Sequence, residues 1–429
     1  MRPSRVSLLL SLCLTLLAAP AAWPQGGPGL PLDQGLWRLN GTDPTLPYDD
    51  LEPLRRIVGG SHYVALGESI HTSGGFYEMK DRVFRFLVEQ MGFRVFGMET
   101  SWFNADRVER YVQTCQGTPR DALRGVFPVW RSRETEALVQ WMCEWNQEHP
   151  DDRVHFYGFD IQAQAFQDGQ ALLAFLQRLG IGAGDSRVEG LRVCDGVEQD
   201  WLFAGLPYPP ELHERCQAAL AEIAAYFDAG EKEVERLTSE EDLGWARIHM
   251  VGLQAWQVVA FYINSDILRG IDARDRAMAY VAQAIHDLRF PHARTALWAH
   301  NGHIALRGAE AYFGTDMGTH LKAALGSQYK AIGLTARETY VDWIFIPLCG
   351  FVDLPVGPGS LEHVLVSAAP GAAGLLADLT AHPPFLTPGA VYTVASVPMV
   401  PVEQFDAVIH LDVSPQMTPT AWAPCPLQD

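Results

Sequence analysis

The chain of 429 residues is 48% hydrophobic and 19% charged, the composition of a globular protein long enough for a large core and an appended subdomain. Its formal net charge of -19, with no Lys/Arg run or basic amphipathic helix, excludes nucleic acid as a partner. Beyond the N-terminus no stretch offers the roughly 18 uninterrupted apolar residues of a spanning helix, so no membrane-embedded part is expected.

Arg2 and Arg5, the apolar run Val6 to Leu17 and then Ala18, Ala19, Ala21 and Ala22 predict a signal peptide over residues 1–22 and a secreted or periplasmic protein. Residues 23–53, rich in Gly, Pro and Asp and without periodicity, predict an extended N-terminal arm. Short apolar runs follow at Tyr63 to Leu66, Val95 to Met98, Val154 to Phe159, Thr295 to Ala299 and Ala331 to Leu334, each bounded by polar or turn residues and read as a buried strand. Between the first two, Phe76, Val83, Phe84, Leu87 and Met91 form one helical stripe that stops at Gly92. Strand, helix, strand in one sheet is a right-handed parallel crossover.

Longer helical patterns cover Gly169 to Leu179, Pro210 to Phe227, Leu243 to Ile267 and Asp272 to Leu288, and strand-like pieces return at Val391 to Val397 and Ala407 to Leu411. The fold class is therefore α/β, a mainly parallel sheet covered by helices with an inserted helical subdomain. The core occupies residues 54–163 and 289–429, and the insertion 164–288. Besides Cys13, the cysteines are Cys115, Cys143, Cys194, Cys216, Cys349 and Cys425, an even set for which disulfides are expected in an exported chain. Cys115 with Cys143 and Cys194 with Cys216 are the simplest pairs; no C-x-x-C spacing points to zinc or redox chemistry.

An ionisable residue follows each of four runs: Glu68, Glu99, Asp160 and His300. Any one alone reads as readily as a cap or a solvated loop residue, and Asp160 most of all. Four together predict one crevice at the carboxyl ends of the strands. In Leu66-Gly67-Glu68-Ser69-Ile70-His71, glycine permits a tight turn and Glu68 stands close enough to His71 to fix its tautomer and support it as a general base. Lys80 lies on the apolar stripe, either snorkelling to an edge or set against Glu99 or a developing oxyanion. His300-Asn301-Gly302-His303 adds two imidazoles at a strand mouth, and Arg274 with Asp275 opens the helix before that strand.

These residues resemble the erythromycin esterase family: Ala65-Leu66-Gly67-Glu68 with His71, Lys80, Gly92-Phe93 and Glu99, then Phe156-Tyr157-Gly158-Phe159-Asp160, Arg274-Asp275 with Met278-Ala279, Trp298-Ala299-His300-Asn301-Gly302-His303, and Gly359-Ser360-Leu361-Glu362. The resemblance spans essentially the whole mature chain. It implies an esterase that opens a macrocyclic lactone by water attack, with no covalent intermediate, cofactor or essential metal. It further implies His71 as general base, Glu68 and Glu99 as active-site carboxylates, and His300 and His303 as a second histidine pair. Lys80 stands where macrolide-hydrolysing members carry arginine, which keeps the charge but loses the planar fork. No Gly-x-Ser-x-Gly elbow surrounds Ser69 or Ser73, in keeping with water attack.

The resulting expectation is a hydrolase for a small-molecule ester or lactone. His71 activates water, Glu68 orients it, His300 with Lys80 or Arg274 stabilises the oxyanion, and Arg274 and Asp160 orient substrate. Two alternatives use the same residues: a metal-dependent hydrolase built on Glu68, His71, Glu99 and His300, and a binding protein without turnover. Nothing in the sequence sets an oligomeric state.

Overall fold

The computed structural model describes residues 35–162, 164–194, 208–262, 264–308, 315–341, 350–353, 357–380 and 383–421. The predicted signal peptide, Cys349 and Cys425 lie outside them. Among the described residues the strands are β1 (Leu36–Leu39), β2 (Tyr63–Leu66), β3 (Phe93–Ser101), β4 (His155–Asp160), β5 (Arg294–Trp298), β6 (Tyr329–Val341), β7 (Gly350–Asp353), β8 (Gly374–Asp378), β9 (Tyr392–Val394), β10 (Val397–Met399) and β11 (Ala407–Ser414). Nine form one sheet in the order β1-β8-β11-β6-β2-β5-β3-β4, with β7 paired to β6.

Its centre is parallel, from β11 through β6, β2 and β5 to β3. The continuous apolar run Tyr63-Val64-Ala65-Leu66 is buried on both faces, as a central parallel strand must be. The predicted helix is present as Gly74–Met91 and ends at Gly92 in the left-handed region, φ 74°, where a side chain is strained and glycine is not. Its Phe84 ring meets Phe96 of β3 edge-on at 4.7 Å, within a core that includes Val64, Leu66, Phe76, Leu87 and Trp298. Burying each such side chain is worth about 1.5–3 kcal/mol.

The stretch read as an arm also contributes to the core. Leu36–Leu39 pairs antiparallel with Gly374–Asp378, burying Leu36 and Leu39, and β8 pairs antiparallel with β11. Helices Trp102–Thr114 and Arg133–Glu148 lie between β3 and β4 in sequence, the second capped by the Ser132 hydroxyl. They are joined by the Cys115–Cys143 disulfide.

The chain divides into two compact units. One holds the described residues up to Glu99, Asn104–Tyr157 and those from Ala293 onward; the other holds Thr100–Phe103 and Gly158–His292. The second unit contains helices Ala165–Arg178, Ser186–Leu191, Pro210–Leu237, Glu240–Tyr262 and Ile267–Arg289, and the Cys194–Cys216 disulfide. The long pattern Leu243 to Ile267 splits here. Asp266 accepts a hydrogen bond from the Arg269 N–H and so starts a new helix that absorbs the predicted Asp272 to Leu288.

Candidate active site

β2, β5 and β3 are neighbours in the sheet, and the site is supplied by the residues that follow β2 and β5 and by Glu99 within β3, two residues before its end. Beyond Leu66 the chain turns out of the sheet, with the Gly67 N–H donating to Ile332 O at 2.9 Å. Gly67 is not in the left-handed region. Glycine is required there because a Cβ would overlap the Asn301 side chain and stand 2.8 Å from Ile304 Cδ1, so the tight-turn reading gives way to one of close approach. Asn301 donates its backbone N–H to Glu68 O at 2.8 Å. Its side chain donates to Leu334 O at 2.8 Å and accepts from Leu334 N–H at 3.2 Å. One residue thus locks the ends of β2 and β5 to β6.

Glu68 is fully buried. Its Oε1 accepts from His71 Nδ1 at 2.9 Å, which places the proton-accepting lone pair of the imidazole on Nε2. Its Oε2 is in contact with the Lys80 ammonium. Lys80 also donates to Ala299 O at 3.1 Å and lies 4.6 Å from the centre of the Trp298 ring. The lysine of the apolar stripe therefore contacts Glu68 and also feels the charge of Glu99, and its side chain is 0% exposed against 21% for His71. Lys80 meets the Glu68 oxygen that His71 does not use. Burial drives the Lys80 pKa well below its ordinary value, and the Glu99 carboxylate opposes that shift.

Glu99, near the end of β3, accepts the His300 backbone N–H on Oε2 at 3.0 Å and stands 3.4 Å from His303 Nε2 through Oε1. His300 donates from Nε2 to Ser69 O at 3.0 Å and accepts the Gly302 N–H on Nδ1 at 3.1 Å. Burial first, then the neighbouring His71 and His303, depress its pKa to about 3, so it is neutral at pH 7. With both ring nitrogens on backbone groups, His300 holds the strand-end loop ahead of His71 and is not aimed as an oxyanion donor. The ring centres of His71 and His300 are 5.4 Å apart.

Asp160 and Arg274 lie in the helical unit and pair with each other, Nη2 to Oδ2 at 2.6 Å and Nε to Oδ1 at 3.1 Å. The guanidinium expected to meet an oxyanion is thus held in a two-point carboxylate contact. Trp130, from a short turn without periodicity, was not legible in the sequence. Its ring packs edge-on to His71 at 4.9 Å, and its Nε1 donates to Glu99 O at 2.6 Å. Among the described residues, Glu68, His71 and Glu99 offer ligand atoms within 4.8 Å of one another, a spacing compatible with a divalent cation. Both Glu68 oxygens, however, already meet His71 and Lys80.

A family model described as Erythromycin esterase matches residues 88–414. The chain belongs to the erythromycin esterase family. Erythromycin esterase type II of Escherichia coli is 24% identical over 332 residues, covering 70% of this chain and 74% of that protein. The putative hydrolase YbfO of Bacillus subtilis is 23% identical over 345 residues, covering 74% and 75%. A mutant of the erythromycin esterase EreC in its open conformation superposes with TM-score 0.72 at 18% identity, covering 90% of this chain and 98% of that one. A Bacillus cereus protein gives 0.73 at 19% identity, covering 91% and 97%. Membership of the erythromycin esterase family supports a hydrolase, and the neighbours share its mostly parallel sheet with many helices.

Proposed function

We propose that the protein hydrolyses a carboxylic ester or lactone by water attack, with His71 as general base. The Glu68–His71 pair carries this reading: a buried carboxylate fixes Nδ1–H and leaves Nε2 to take the proton. Water loses a proton to Nε2 as its oxygen attacks the carbonyl carbon. The tetrahedral intermediate then collapses, the carbon–oxygen bond to the leaving alkoxide breaks, and that alkoxide recovers the proton from Nε2. The products are an acid and an alcohol, or one hydroxy acid from a lactone. Glu68 stabilises the transient imidazolium, and Lys80 lies against the other Glu68 oxygen. The imidazolium is the most accessible positive charge of the Glu68–His71–Lys80 group for the developing oxyanion.

Purified protein is to be incubated with macrolides, simple lactones and aryl esters and followed by mass spectrometry for the gain of one water, with His71→Ala alongside. The expected result is turnover of at least one class and a loss of roughly 10²–10⁴-fold in the variant. Turnover unchanged in His71→Ala refutes the base; no turnover of any ester or lactone favours a binding protein. A second reading is supported by the mutual spacing of Glu68, His71 and Glu99, which suits a divalent metal that activates water. Stoichiometric metal in the purified protein, with hydrolysis lost on chelation, selects it. The Cys115–Cys143 and Cys194–Cys216 disulfides support an exported protein.

A further inference from the structure

His71 is followed by Thr72, a non-glycine, β-branched residue at φ 71°. That conformation is unfavourable for such a side chain and persists only where the surroundings hold it. The inner hold is a tyrosine hydroxyl. Tyr77 Oη, buried with its ring under the site, accepts the Thr72 N–H at 3.2 Å and donates to Val129 O at 2.9 Å. Burial pushes its pKa above the ordinary phenol range, so the hydroxyl keeps its proton and can play both parts at once.

Val129 directly precedes Trp130, whose ring packs on His71 and whose Nε1 holds the Glu99 carbonyl. The Tyr77 ring itself is 5.6 Å from Trp130 and 5.2 Å from Trp298. The hydroxyl therefore joins the turn that carries His71 to the turn that covers it.

The outer hold is the segment after β11. Met417 N–H donates to Thr72 O at 3.3 Å, and Gly74 N–H donates to Pro415 O at 2.6 Å. Ser73 Oγ lies 2.8 Å from Thr339 Oγ1 and 2.7 Å from Ser414 Oγ. The approach is close: a Cβ on Gly74 would stand 2.8 Å from Gln416 O, and one on Gly75 2.8 Å from Ser414 Oγ. The same segment then reaches the Trp130 turn, Arg133 N–H to Thr418 O at 2.9 Å and Thr420 N–H to Arg131 O at 2.8 Å. Inside and outside, the same two turns are tied together.

We propose that Tyr77 is a positioning residue for His71, and that residues 415–420 form the outer half of one brace that sets the imidazole against Glu68. The proposal rests on the base role given to His71. Its test is Tyr77→Phe in the full chain, which removes the hydroxyl and keeps the ring. Because misplacing a reacting group by about 1 Å costs roughly 10²-fold, kcat is expected to fall roughly 10- to 10²-fold while KM stays within about twofold.

The second readout does not depend on turnover. In ¹⁵N-histidine-labelled protein, the Nδ1–H signal assigned through its absence in His71→Ala is expected to broaden or vanish in Tyr77→Phe. Tyr111→Phe, which removes another tyrosine hydroxyl bond, to Gln140, is the control and leaves both readouts unchanged. A retained Nδ1–H signal with unchanged kcat in Tyr77→Phe overturns the brace. If His71→Ala keeps full turnover, the base reading fails, and the histidine signal alone decides whether Tyr77 positions that ring.

Discussion

Lys80→Met replaces a fully buried ammonium by an apolar chain of similar length and leaves Glu68 Oε2 without its cation. Removing one partner of a buried ion pair costs about 3–5 kcal/mol, because the remaining charge is neither hydrated nor compensated. The lost hydrogen bond to Ala299 O is part of that figure and does not add to it. At about 2 °C per kcal/mol for a large domain, the melting temperature of the sheet unit should fall by roughly 6–10 °C in calorimetry. Glu68 can avoid the cost by taking up a proton, but a neutral carboxyl no longer stabilises imidazolium at His71. Hydrolysis of a substrate found in the ester screen should then fall by about 10²–10⁴-fold. Lys80→Met/Glu68→Gln separates the effects: with neither charge present, most of the stability returns and the activity does not. A single variant that melts within about 1 °C of the parent and keeps its turnover refutes both the ion pair and its part in tuning the base.

His410 on β11 is buried with neither ring nitrogen hydrogen-bonded, and burial depresses its pKa to about 4 against the pull of Asp412 and with the push of Arg337. The unfolded chain therefore takes up that proton first, and stability present above an ordinary histidine pKa of about 6.5 is lost progressively as pH falls toward about 4. Asp168, raised to about 7, acts in the opposite direction across that whole window, and Asp81, raised to about 6, across most of it. The measurement is thus the difference in melting temperature between His410→Leu and the parent, which should grow in the variant's favour from pH 7 to pH 4; a flat difference refutes it. Cys143→Ser opens a disulfide that spans 28 residues and should lower stability by about 3–4 kcal/mol, read as a lower denaturation midpoint. An unchanged midpoint shows that the bond does not form in solution.

The parallel centre of the sheet was legible because strands buried on both faces must be continuous apolar runs, and Tyr63–Leu66 has the same limits in sequence and structure. Glu68, Glu99 and His300 were legible because each interrupts such a run abruptly. β8 was hidden: Gly374-Leu375-Leu376-Ala377-Asp378 is short, lacks β-branched residues and takes its register from β11 and β1. β11 runs three residues past its apolar stretch, through Asp412 and Val413 to Ser414, and these lead into the segment that meets the His71 turn. The stripe placed Lys80 on the buried face of its helix, but its carboxylate depends on how that helix seats on β2 and β5, which no local pattern encodes. Trp130 comes from a three-residue 3-10 turn, too short for any period to show.

What sets the chemistry of His71 lies behind it. Glu68 lies against Lys80, and Glu99 is held by the His300 N–H with its backbone carbonyl on Trp130. His300 is uncharged and fastened to Ser69 O. The cluster therefore sets a buried carboxylate against an imidazole on one oxygen and a lysine on the other. A divalent cation at Glu68, His71 and Glu99 would have to displace that lysine or add its charge beside it. This makes Lys80 the residue on which the two hydrolytic readings diverge. If Lys80 serves the carboxylate, its removal weakens hydrolysis whatever metal is supplied. If a metal does, Lys80→Met should bind that metal more tightly and recover activity when it is added.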